Sequence, residues 1–267
     1  SLEGFRISGA SVPDVVCREL LEHGITPQSG YGMTEACSHH YTLPEDPPSR
    51  ITGTSGTACA GYEVRVFSQD DPDRVMPLGE IGQIGGRGAS LMLGYYEDEA
   101  STASSFNRDG FFMTGDIGSL DADGYLKITG RKKDIIITAG GKNIAPKNIE
   151  GAIKSHEVVG EAVVIGDRRK FLSALITLDP DGAKRFADGH GISEQGLHEA
   201  TSLIAELQTH VEDAVNPQFA RVEHVRKFTV LSEPFSIEKG ELTPTLKVKR
   251  NKVNENYADE IEAMYTD

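Results

Sequence analysis

The chain is poor in cysteine, in basic charge and in long apolar runs, and each shortage excludes something. Three cysteines, Cys17, Cys37 and Cys59, are too few and too odd in number for a disulfide framework, and they fit a reducing, cytoplasmic compartment. Lys and Arg total 27 against 41 Asp and Glu, a formal charge of −14. A field of that sign repels nucleic acid and anionic lipid, so a protein built to coat either is excluded, although a local basic site is not. No apolar run approaches the roughly 18 residues of a membrane span, and no signal-peptide pattern opens the chain. His39 and His40 are adjacent with no Cys or His at metal-ligand spacing, which argues against zinc. GxSxG is absent, and with it a hydrolase nucleophile elbow; GxxxxGK(S/T) is absent, and with it a Walker-type phosphate loop. The chain also lacks an initiator Met and opens on SLEGFRISGA, which reads as the middle of a strand, so a piece of something longer is expected.

What is present reads as globular: 267 residues, 38% hydrophobic and 25% charged. The 29 glycines fall in short clusters between strand-like runs. Residues 13–23 read as an amphipathic helix with Pro13 at its first turn and Gly24 at its stop. The glycine-flanked turn QSGYGMTEA follows. From about 50 to 130 the pattern is short β segments (YEVRVFS, GEIGQI, GFFMTGD, GYLKIT) separated by DDPD, PLG, NRDG and DADG turns. Beyond RKKD the order becomes strand (DIIITA), Gly-Gly turn, helix (about 147–155), two strands, a helix over about 193–215 with Leu197, Ile204, Leu207, Val211 and Val215 on one face, and a last strand, KFTVL. The change of pattern places a domain boundary at 130/131.

Four segments could carry chemistry. In SGYGMTE, 29–35, Gly30 and Gly32 allow close backbone approach, Tyr31 offers a flat face, Thr34 can bond a phosphate oxygen and Glu35 can hold Mg²⁺; an ordinary glycine turn before a helix is the competing reading. In TGD, Asp116 can accept from two vicinal hydroxyls or be a turn residue. Around GRKKDIIITAGGK, Arg131 could reinforce a ribose or phosphate contact, Lys133–Asp134 looks like a hinge, and Gly140 and Gly141 leave the backbone bare; a hairpin with a surface charge cluster would look the same. In GELTPTLKVKRNK, Lys247, Lys249, Arg250 and Lys252 make a basic stretch, which without interleaved aromatics reads as a solvated helix end rather than a nucleic-acid patch.

In this order the motifs resemble the acyl-adenylate-forming superfamily, over essentially the whole chain from SGA at 8–10 to Lys252. GGKNIAPKNIE, GDRRKFLSALITL and GELTPTLKVKR are most similar to the long-chain fatty acyl-CoA synthetases. The resemblance implies an α+β fold: the C-terminal part of a large α/β plus β-barrel adenylating domain (1–130) and a small mobile α/β domain (131–267). The family's Ser/Thr/Gly-rich phosphate loop and most of the acyl pocket would lie upstream of Ser1, so the chain alone is not expected to make acyl-CoA. By resemblance, ATP adenylates a carboxylic acid, releasing pyrophosphate, and coenzyme A displaces AMP. Gly9, Ala10 and Tyr31 would line the adenine and carbonyl region; Thr34 would contact the α-phosphate and Glu35 hold Mg²⁺. Asp116 and Arg131 would hold the ribose, and Lys247 would bridge carboxylate and α-phosphate. Lys133 would be the hinge, and Gly140 and Gly141 would border the pantetheine tunnel. TPTLK replaces the family's usual serine-glycine pair before that lysine. The implied partners are small molecules (a fatty acid, ATP, coenzyme A), with no nucleic acid and with room for peripheral membrane contact; the oligomeric state and acyl chain are not readable. A fatty-acyl-AMP ligase or adenylation domain serving a carrier protein, a medium-chain or alicyclic-acid ligase, and a non-catalytic copy of the fold are the alternatives.

Overall fold

A computed structural model describes residues 3–8 and 14–266. The chain divides into two compact units, Ser1–Lys133 and Asp134–Asp267.

The first unit carries two sheets. One runs β1 (Gly4–Ile7), β2 (Thr26–Met33), β3 (Cys37–Tyr41), β4 (Thr57–Ala58), with β1 parallel to β2 and the rest antiparallel. Helices α1 (Asp14–Glu22) and α2 (Pro48–Gly53) belong to the same part of the chain. SGYGM is therefore strand and TEA the turn that leads into β3, not a turn ahead of a helix: Gly30 and Tyr31 pair with Tyr41 and His40, and a bulge after Tyr31 brings Gly32 opposite Ser38. The second sheet is an antiparallel meander, β5 (Tyr62–Phe67), β6 (Gly82–Gly88), β7 (Phe112–Leu120) and β8 (Leu126–Arg131), with the short α3 (Glu99–Ser104) between β6 and β7. The expected barrel-like region is this open sheet; four strands are too few to close on themselves. Strand β6 begins three residues later than GEIGQI suggested, because Pro77–Ile81 forms the turn.

In the second unit a two-stranded hairpin, β9 (Ile136–Ile137) and β10 (Asn143–Ile144), leads into α4 (Pro146–Ile153). A three-stranded sheet follows: β11 (Val159–Ile165) antiparallel to β12 (Leu172–Leu178), which is parallel to β13 (Val225–Val230). Between β12 and β13 lie α5 (Pro180–His190) and α6 (Thr201–Thr209); α7 (Arg250–Asn256) and α8 (Ala258–Tyr265) close the unit. Strand alternation sorts β12 onto two cores. Leu172, Ala174 and Ile176 face Ile149, Ile153, Leu203 and Leu207; Leu175 faces Val253, Ile261 and Met264. The expected helix over 193–215 is shorter. It starts at Thr201 and loosens into a π-helical turn, His210–Val215, while Leu197, Leu207, Val211 and Val215 are buried as expected.

Candidate active site

Asp116 is 5% exposed, and its position follows from a bulge. Met113 pairs with Gly85 and Ile117 with Gln83, so Thr114, Gly115 and Asp116 stand opposite the single residue Ile84. Gly115 takes the extra length at φ +74°, where a Cβ would be strained, and Thr114 Oγ1 bonds both the Ile84 carbonyl (2.8 Å) and the Asp116 N–H (3.1 Å). A bulge of this kind re-aims a side chain. On the next strand Arg131 is the direct register partner of Asp116, and its Nε donates to Oδ1 at 3.0 Å.

The other carboxylate oxygen is held from the first sheet: Tyr31 donates its hydroxyl to Asp116 Oδ2 at 2.7 Å. Tyr31 packs with Ile84 and Leu126. Burial first, and then the Asp116 charge, push the Tyr31 phenol well above its ordinary pKa, so it remains a donor. Its ring meets His39 edge-on, with centroids 4.9 Å apart, and His39 stacks on Tyr62 at 4.3 Å. His39 and His40 share one hydrogen bond, Nδ1 to Nδ1 at 2.9 Å, so one is the Nδ1–H donor and the other the acceptor. Burial lowers His39 to about 4; burial and then His39 lower His40 to about 3. Both Nε2 atoms and the Tyr62 hydroxyl are buried without a partner among the described residues. The two rings are held by Tyr31 from β2 and Tyr62 from β5, contacts that the adjacency of His39 and His40 in the sequence does not report.

Thr34 and Glu35 sit in the turn between β2 and β3, Thr34 exposed and Glu35 half-buried. Gly32 has the approach that the motif demands: a Cβ there would lie 2.3 Å from the Cys37 carbonyl oxygen and 2.5 Å from the Ser38 Cα. The turn is braced by the loop after β6. Met92 N–H donates to the Glu35 carbonyl (2.7 Å), Ser90 Oγ to the Ala36 carbonyl (2.9 Å) and Tyr95 to Glu35 Oε1 (3.1 Å). Tyr95 was missed in the sequence; the GYY run after a glycine-rich strand was its only signal. Glu35 Oε2 has no partner among the described residues, and no group of three or more potential metal ligands occurs there. One free carboxylate oxygen suits Mg²⁺, which commonly takes one or two carboxylates and completes its shell from phosphates and water.

The remaining positions fall elsewhere. Gly9 and Ala10 lie outside the described residues. Lys133 is the last residue of the first unit. Gly140, Gly141 and Lys247 belong to the second unit, on two exposed turns. The Lys247 turn is anchored below by Glu241, fully buried, which accepts from Ser236 N–H (2.9 Å) and Asn256 Nδ2 (3.0 Å). Among the described residues no helix is long and apolar enough to cross a membrane.

The curated relatives include the long-chain-fatty-acid–CoA ligase FadD15 of Mycobacterium bovis, 40% identical over 246 residues, covering 91% of this chain and 38% of that protein. They also include the human long-chain-fatty-acid–CoA ligase ACSBG1, 34% identical, covering 89% and 34%. Among solved structures, o-succinylbenzoate CoA synthetase (MenE) of Bacillus subtilis, in complex with its acyl-adenylate intermediate, superposes with a TM-score of 0.74 at 26% identity, covering 94% of this chain and 45% of that one. The chain thus spans roughly a third to two fifths of the length of these curated relatives. The pattern described as "AMP-binding enzyme" matches residues 1–96 and that of the "AMP-binding enzyme C-terminal domain" matches residues 133–267, and the chain belongs to the AMP-binding enzyme family.

Proposed function

We propose that the protein is an ATP-dependent acyl-CoA ligase that activates a fatty carboxylic acid, of the long-chain class named for its relatives, through an acyl-adenylate. Asp116 supports this reading most directly. An ionised carboxylate offers about four lone-pair positions; Tyr31 and Arg131 occupy two, leaving one on each oxygen for the two hydroxyls of a ribose. Three elements fix the group before any nucleotide arrives, so little ordering is left to binding.

In the first step a carboxylate oxygen attacks the α-phosphorus of ATP and pyrophosphate leaves. Thr34 bonds the α-phosphate. Glu35 would hold Mg²⁺ together with the phosphates, and the ion would offset phosphate charge. Lys247 supplies the cation between the two anions; one such pair at about 4 Å is worth roughly 4 kcal/mol at an effective dielectric near 20. In the second step the sulfur of coenzyme A attacks the acyl carbon, the thiol proton is released and AMP leaves. Lys133 acts as the pivot, and the Gly140–Gly141 turn serves this step as the Lys247 turn serves the first.

The test is fatty-acid-dependent ATP–pyrophosphate exchange by the full-length protein, followed by offering coenzyme A or an acyl carrier protein as acceptor. Exchange with long-chain acids and thioester formation on coenzyme A are expected. Exchange with transfer to the carrier alone would make the protein a fatty-acyl-AMP ligase, and no exchange with any acid would overturn the reading.

A further inference from the structure

The two exposed turns of the second unit are built alike. One is TAGGK, 138–142; the other is TPTLK, 243–247. In each, the first threonine's N–H donates to the lysine carbonyl, Thr138 to Lys142 at 3.1 Å and Thr243 to Lys247 at 2.8 Å. In each, the lysine N–H donates back to that threonine's Oγ1, at 3.2 Å and 3.0 Å. In each, the fourth residue's N–H bonds the threonine carbonyl at 2.8 Å, Gly141 to Thr138 and Leu246 to Thr243. That fourth residue has positive φ in both, +72° at Gly141 and +58° at Leu246. Leucine in the left-handed region is uncommon, so the second turn holds this shape against its own preference.

Both turns are also tied to one strand edge. α4 follows the first turn and carries Glu150; α7 follows the second and begins with Arg250. Glu150 Oε1 accepts the Val164 N–H at 2.8 Å, Arg250 Nη1 donates to the Val164 carbonyl at 2.8 Å, and the two side chains bond each other. Lys142 and Lys247 are both exposed, and among the described residues neither ammonium has a carboxylate within ion-pair distance.

Resting on the reading above, we propose that Lys142 is the counterpart of Lys247 in the thioester-forming step, binding the α-phosphate of the acyl-adenylate as AMP departs. When the sulfur attacks the acyl carbon, the bond from that carbon to the phosphate oxygen breaks. Its electron pair stays on the phosphate, which gains one negative charge. The adenylation step needs a cation where two anions meet; the thioester step needs one where this charge appears. Two turns of one construction, each ending in a lysine, supply both in succession.

The experiment is single-turnover kinetics on the full-length protein, with Lys142→Ala and Lys142→Arg beside the unmodified enzyme. Pyrophosphate release from ATP and fatty acid is read separately from thioester formation out of synthetic acyl-AMP. Lys142→Ala is expected to slow thioester formation by roughly 10²–10³-fold, the cost of one preorganised electrostatic group, with pyrophosphate release within about twofold. Lys142→Arg should recover most of the loss. The defect should persist when pantetheine, which carries no nucleotide phosphates, replaces coenzyme A. Equal slowing of both steps, no slowing, or a defect that vanishes with pantetheine would each overturn the assignment; the last would place Lys142 on the phosphates of coenzyme A. If the unmodified enzyme itself forms no thioester, the functional reading has failed rather than this inference.

Discussion

At the scale of single residues, the most consequential arrangement is a relay of ring contacts ending on a carboxylate. Tyr62 stacks on His39, His39 abuts Tyr31, and Tyr31 bonds Asp116. Its proton chemistry gives a test. The folded pKa values of His39 and His40, about 4 and about 3, lie below the ordinary imidazole value near 6.5. Between roughly pH 6.5 and 4 the unfolded chain binds protons that the folded chain refuses, so stability is full above 6.5 and falls as pH drops. Each imidazole contributes a slope of up to about 1.4 kcal/mol per pH unit. Urea unfolding from pH 7 to 4.5 should show a shallower pH dependence for the variant with His39→Gln and His40→Gln than for the unmodified chain. Equal slopes would mean that the pair is already charged, or solvated, in the fold.

At the scale of elements, local irregularities place the chemistry. The β7 bulge aims Asp116, the bulge after Tyr31 bends β2 into the Thr34–Glu35 turn, and the left-handed Leu246 shapes the Lys247 turn. Such features are poorly legible in a sequence, because periodicity reports the faces of an element and not where the pairing slips by a residue. Gly32 gives the sharpest case. Its missing Cβ is required by backbone atoms of Cys37 and Ser38, which cannot rotate away as a side chain would. Gly32→Ala should therefore cost roughly 1–3 kcal/mol, in the range of overpacking, seen as a lower melting temperature. An unchanged melting temperature would show that the bulge relaxes at no cost. Some signals were present and unread: Asp179 capping Gly182 N–H, Pro180 in the first turn and Gly191 in the left-handed conformation mark both ends of α5.

At the scale of the whole molecule, what was legible is what repeats: the hairpin meander of the first unit and the apolar face from Leu197 to Val215. Asp116 and Arg131 could be named from their motifs, and the register joins them. Tyr95 and the His39–His40 pair could not, since their roles depend on elements brought together across the fold. Lys247 was named from its motif, and the structure gives it an exposed turn on a buried carboxylate anchor. Its role carries the central claim, that one cation is needed for adenylation and not for thiolation. The most direct measurement is pyrophosphate release beside acyl-CoA formation from synthetic acyl-AMP, for Lys247→Ala in the full-length protein. Pyrophosphate release should fall by roughly 10²–10³-fold while acyl-CoA formation from the supplied adenylate changes little; equal slowing of both steps, or of neither, would contradict the account.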